Sequence, residues 1–222
     1  MAPHITADRL LDAAAEVFGA RGYHDARVSE IARAAGVAQG TVYLYFESKE
    51  RLYEAVLERF AEAVRGVAAR IRWDDIRSTV DLRDRFADLY TATFELCARN
   101  RGVAGLVLGG PPVGRSSEIR ARLIRDTERI STAYLEAGAA SGLLRPLSAA
   151  PIARAIVGLL VHTATWTIVT EGRTSDLCRL AEELLDFELY GLVAPSQLPP
   201  GDAPSAAAGE APAATALHSP EV

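Results

Sequence analysis

The stretch Ile31-Ala32-Arg33-Ala34-Ala35-Gly36-Val37-Ala38-Gln39-Gly40-Thr41-Val42-Tyr43-Leu44-Tyr45-Phe46 decides how this 222-residue chain reads. Its first part, from about Ser29 to Ala35, has the apolar spacing of a short helix with Ile31, Ala32 and Ala35 inward. Gly36 breaks that helix, and a second is expected over Gln39 to Tyr45. The second holds an amide, a hydroxyl and two phenols in seven residues, with no acid among them. Two short helices about a glycine turn read as a helix-turn-helix, in which one helix supports and the next enters the major groove of DNA.

Each polar residue of that segment has a chemistry suited to the task. Gln39 offers a donor and an acceptor together, as the major-groove edge of adenine requires. Gly40 lets the backbone come close to DNA. Thr41 suits a thymine methyl or a phosphate. Tyr43 and Tyr45 pair an apolar body with a hydroxyl, fit to pack at the helix base while touching phosphate. Ser48 is placed to cap a fourth helix. Lys49, at its start, is the best candidate for a phosphate contact, and it is the only lysine beside 23 arginines.

The net charge of −5 gives no polycationic footprint. The segment 194–222 contributes Asp202, Glu210 and Glu221 and no base, and residues 1–51 hold seven acids against six bases. Residues 31–46 contain one charge, Arg33, so the reading surface lacks repulsion. Binding then rests on a few placed phosphate contacts.

Outward from this segment the pattern stays helical. A first helix is expected from Thr6 to Arg21-Gly22, and a long fourth one from Ser48 to about Ile71. Further helices are expected over 82–99, 102–108, 117–140, 150–170 and 175–192, interrupted by Trp73-Asp74-Asp75 and by Gly109-Gly110-Pro111-Pro112-Val113-Gly114. The fold class is all-α with about nine helices. It divides into a DNA-binding head over 1–50, a helical body over 51–193 and a tail over 194–222. Ala, Pro, Ser and Gly make up 20 of the tail's 29 residues, which implies disorder.

Residues 5–60 resemble the DNA-binding domain of the TetR (tetracycline-repressor) family of bacterial regulators. The resemblance runs through Phe18-Gly19-Ala20-Arg21-Gly22-Tyr23, Ile31 to Val37, Gly40 to Phe46, Ser48-Lys49-Glu50 and Leu52. It implies a homodimer on a palindromic double-stranded operator, and a body pocket whose small-molecule effector controls DNA affinity, in most cases of a repressor. One departure stands out. Family members put Thr or Ser just before the second helix as a cap and phosphate contact, where this chain has Arg27 and Val28. Ser29 is expected to take over the cap, or Arg27 the phosphate contact.

In the body, 150–170 and 175–192 carry apolar residues on several faces, which suggests a partner surface. By the resemblance these two helices form the dimer interface, with Ile156, Leu160, Leu177, Leu184 and Phe187 as candidates. Phe60, Tyr90, Phe94, Tyr134, His162, Thr163 and Trp166 mix aromatic and polar character among apolar neighbours. They line either an effector pocket or an ordinary core. The stretch Tyr134-Leu135-Glu136-Ala137-Gly138 with Gly142-Leu143-Leu144-Arg145-Pro146, Gly158 and Trp166 resembles the body of family members that sense fatty acyl thioesters.

Other classes find little support. No Ser/His/Asp set, metal-ligand spacing or phosphate loop is visible, and the four histidines are His4, His24, His162 and His218, so neither an enzyme nor a cofactor is expected. No apolar run is read as membrane-spanning and no signal peptide is read at the start, so a cytoplasmic location is expected. Cys97 and Cys178 match no disulfide or metal framework and read as buried filler. The competing function is a DNA-binding regulator without a small-molecule effector, controlled by a protein partner or by its own level.

Overall fold

The computed structural model describes residues 3–192; the expected tail at 194–222 lies outside the described residues. Among the described residues the chain forms nine α-helices and no sheet. The head comprises α1 (Pro3–Asp25), α2 (Val28–Ala34) and α3 (Gln39–Tyr45). The body comprises α4 (Lys49–Ala68), α5 (Thr79–Arg99), α6 (Arg101–Gly109), α7 (Ser116–Ala140), α8 (Ala149–Thr163) and α9 (Leu177–Leu192). Thr6 lies inside α1 rather than at its cap, because the helix extends back to Pro3.

Local chemistry sets the boundaries. Gly36 adopts φ +65°, the left-handed region that glycine enters without strain. This lets Val37 N–H donate back to Ala32 O (3.0 Å) before α3 begins. Ser48 caps α4, its Oγ accepting from Arg51 N–H at 3.1 Å. At the start of α2 the expectation for Ser29 does not hold. Ser29 is exposed one residue inside the helix, and the carboxylate of Glu30 instead accepts from the Arg27 N–H at 3.3 Å. Val28 occupies the position of a hydroxyl because its side chain is buried against the head.

One core runs unbroken from head to body. Leu10, Phe18, Ile31 and Val42 meet Leu52, Tyr53 and Val56 of α4, and that cluster continues through Phe94, Val107 and Ile168. Burying each such side chain stabilises by about 1.5–3 kcal/mol. Phe18, Tyr23 and Tyr53 join the first and fourth helices through ring contacts with centroids 5.0–6.2 Å apart. A second cluster, around Ile76, Leu82, Leu135, Leu144 and Ala153, closes the far end of the body. Behind the head, α1 crosses α6 at Gly19 and Gly102, where a Cβ on Gly102 would lie 2.5 Å from Gly19 Cα. Only glycine permits this approach.

Helix α8 continues without a break into a π-helical segment, Ala164–Thr170, closed by Glu171 N–H donating to Trp166 O at 2.9 Å. Together they make a 22-residue helix long and apolar enough to cross a membrane by length and composition. This corrects the expectation that no run reaches that length. One face of the helix packs into the body and the other is exposed. The cysteines also divide: Cys97 is buried, whereas Cys178 is exposed on α9.

Candidate DNA-binding face and effector cavity

Of the seven residues of α3 only Val42 is buried. Helical geometry places Gly40 and Leu44 opposite Val42 with Tyr43 beside them, while Gln39, one turn before Val42, is open at the start of the helix; all four are exposed. Thr41 flanks this face on the other side, and Tyr45 is exposed at the end of the helix. Arg27 is exposed at the entrance to α2. Leu44, which residue chemistry alone passed over, is 83% exposed, the most open large apolar side chain among the described residues. Its position one residue after Tyr43 and four after Gly40 was the available signal.

Lys49 has a second task. Its Nζ donates to His24 O (3.2 Å) and lies 4.5 Å from the centroid of the Tyr23 ring, so it ties α4 to the end of α1. Burial lowers its pKa, and Asp25 partly offsets this. An ammonium has three donors, so those not aimed at His24 remain for a phosphate.

Polar ties along α4 and α7 hold the two helices in a parallel register. Glu54 Oε1 accepts from Arg115 N–H (2.8 Å) while its Oε2 accepts from Arg51 (2.8 Å). Burial works against the Glu54 charge, but these bonds outweigh it and lower its pKa. Glu58 pairs with Arg65 at 2.8 Å and with Arg122, and Arg65 also approaches Asp126 at 3.8 Å. Furthest from the head, Tyr134 Oη lies 3.1 Å from Ala68 O and 2.9 Å from Ile71 O.

Between these helices and α5, α8 and α9 lies a cavity of about 130 Å³. Its wall is almost wholly apolar, with Phe60, Val64 and Ala68 of α4 on one side and Leu160 and Leu189 of α8 and α9 on another. Most of its hydroxyls are already committed. Thr93 donates to Leu89 O, Thr127 to Leu123 O and Tyr134 to the end of α4. Arg120 donates to Val107 O at 2.6 Å and to Gly110 O at 2.8 Å. Tyr90 donates to Glu188 Oε2 at 2.5 Å. Glu188 was legible as an acid set between Leu185 and Leu189 on the apolar side of α9, but residue chemistry alone did not single it out.

Of the expected pocket residues, Phe60, Tyr90 and Tyr134 line the cavity. Phe94 is fully buried beside it in the main core. His162, Thr163 and Trp166 do not line it. The helix period explains this: Ile156, Val157, Leu160, Val161 and Ala164 face inward, which turns Gly158, His162 and Trp166 to the outside. Trp73, expected only as part of a break, is the tryptophan at the cavity.

The expected interface residues separate in the same way. Ile156 and Leu160 line the cavity, Leu177 is a core residue and Leu184 is half-buried against the core. Phe187, 74% exposed, lies on the open face of α9 with Tyr190, and Trp166 lies on that of α8. The sequence showed excess apolar surface on both helices but not which residues carried it.

Residues 10–56 match the family described as bacterial regulatory proteins, tetR family. The transcriptional activator FasR of Mycolicibacterium smegmatis is 31% identical over 185 residues, 83% of this chain and 81% of its own length. The fatty acid metabolism regulator protein of Bacillus subtilis is 27% identical over 188 residues, 83% of this chain and 94% of its own. The transcriptional regulator FadR from Bacillus subtilis, solved in complex with stearoyl-CoA, superposes with a TM-score of 0.69 at 24% identity, covering 83% and 98% of the two chains.

Proposed function

The chain belongs to the TetR family of bacterial transcription regulators with a helix-turn-helix, and on that premise we propose that it is a ligand-responsive regulator acting in the cytoplasm. A homodimer holds two copies of α3 against successive major grooves of a two-fold operator. Gln39, Tyr43 and Leu44 face base edges across Gly40; Thr41, Tyr45, Lys49 and Arg27 hold phosphate. The exposed faces of α8 and α9, with Trp166, Phe187 and Tyr190, make the dimer contact. An apolar effector in the cavity releases the protein from DNA, which makes it a repressor wherever the operator overlaps a promoter. The relative named as an activator supports placing the sign of regulation in the operator's position.

The observation that carries this reading is the course of α4. It starts in the head at Lys49 and ends on the cavity wall at Ala68. A ligand in this cavity lies against α4, so its affinity depends on where that helix stands. A ligand shifts a conformational equilibrium only by its differential affinity for the two states. Operator DNA must therefore weaken the ligand by the same factor, typically 5–150-fold, or about 1–3 kcal/mol. The relatives named for fatty acid metabolism and stearoyl-CoA support a fatty acyl thioester as the effector.

The test is selection of bound duplexes from a random pool with the full chain, followed by titration with acyl thioesters. A two-fold motif and ligand-dependent release are expected. Gln39→Ala should cost about 1–3 kcal/mol and relax preference at one position per half-site. Recovery of the unaltered motif by that variant removes Gln39 as a reader. An operator complex indifferent to apolar ligands would favour control by a protein partner or by protein level.

A further inference from the structure

Resting on the effector-cavity reading, we propose that the natural effector carries a neutral hydroxyl on its apolar body, and that Glu188 Oε1 is the acceptor that selects it. Glu188 brings a carboxyl into a wall otherwise built from residues such as Leu185, Leu189 and Leu160. Tyr90 engages one oxygen, Oε2, at 2.5 Å. The other, Oε1, is closed off from solvent and has no hydrogen-bond partner among the described residues. Of the lining hydroxyls, Thr93, Thr127 and Tyr134 have given their protons to backbone carbonyls, and Ser131 on α7 makes no bond to Oε1.

A buried acceptor left without a donor is penalised, and a ligand that supplies the donor removes the penalty. A plain saturated chain fills the apolar space and leaves Oε1 unpaired. Sites built around a buried hydrogen-bonding group reject the analogue lacking its partner far more strongly than an apolar wall rejects one methylene. The Arg120 guanidinium already places a positive charge on the cavity wall, which favours a neutral donor over an ammonium. Burial raises the Glu188 carboxyl to about 7, so Oε1 is an acceptor above that pH, whereas below it Oε1 carries the proton, because Tyr90 occupies Oε2.

The test compares decan-1-ol, decyl methyl ether and decylamine on the full chain at about pH 8.5, where the Glu188 carboxyl has lost its proton. Binding is read from Trp73 fluorescence in a Trp166→Phe background and from the shift in melting temperature. The alcohol is expected to bind at least about tenfold more tightly than the ether. Glu188→Leu should bring that ratio below about threefold while both compounds still bind. Glu188→Gln, nearly isosteric, should do the same: with the Tyr90 hydroxyl held by its carbonyl, it turns an amide N–H to the cavity. Equal binding of alcohol and ether by the parent protein overturns the proposal and leaves the effector cavity standing. Tighter binding of the amine than of the alcohol overturns the neutral donor. Binding of none of the three overturns both the proposal and the cavity reading.

Discussion

The phenol of Tyr134 on α7 stands 2.9 Å from the carbonyl oxygen of Ile71, just beyond the last turn of α4. It shares its proton with Ala68 O at 3.1 Å. The carbonyls at a helix end lack partners within the helix, so a cavity-lining side chain completes the helix that leads back to the head. The ring itself packs edge-on against Phe86, with centroids 5.6 Å apart.

Tyr134→Phe keeps that ring contact and removes the tie. Stability should fall by about 1 kcal/mol. Operator affinity without ligand should stay within about twofold, whereas the fold-release by saturating ligand should shrink towards one. Operator titrations with and without ligand measure this. A release factor equal to that of the parent protein would place the coupling elsewhere.

Gly102→Ala forces a methyl group against Gly19, where backbone rather than a flexible side chain is in the way. Overpacking of this kind costs about 1–3 kcal/mol. Because α1 carries the head, operator affinity should fall with stability. Gly109→Ala, on the same helix with nothing within 4 Å of the new Cβ, is the control. Identical melting curves for the two variants would show that α1 and α6 separate without cost.

Phe187→Glu places a charge on a side chain that is 74% exposed in one subunit, so the subunit should fold normally. Sedimentation should show a dimer for the parent protein and a monomer for the variant, with the variant's operator binding lost. Leu177→Glu buries an unpaired charge in the core and should unfold the subunit instead. A dimeric Phe187→Glu protein moves the interface off this face.

Stability should depend on pH through Glu188. Burial holds its carboxyl at about 7 against an ordinary 4.5, and the Tyr90 bond offsets this only in part. Between those values the folded protein keeps a proton that the unfolded chain has released. Stability therefore declines as pH rises from about 4.5 to about 7 and then levels off, by at most about 3 kcal/mol. In Glu188→Leu that component is absent, so the variant's melting temperature should gain on the parent's across this window. A difference that is constant with pH would show that Glu188 does not titrate there.

The sequence by itself determined the head. Gly36, the run Gln39 to Tyr45 and the Ser48 cap fix their elements through local rules of backbone conformation and end-capping, and those elements stand where the residues place them. It also determined the all-α body, since apolar spacing of three and four residues reports a helix wherever the helix packs. Tertiary structure alone decided which face of each helix meets what. His162 and Leu160 lie two residues apart, yet one faces outward and the other lines the cavity. That choice depends on the neighbours α7 and α9 bring, and composition does not encode it. The same holds for Lys49, whose ammonium rests on His24 O and Tyr23 because α4 begins beside the end of α1. It holds as well for Glu188, an acid whose significance comes only from the apolar walls that five other helices close around it.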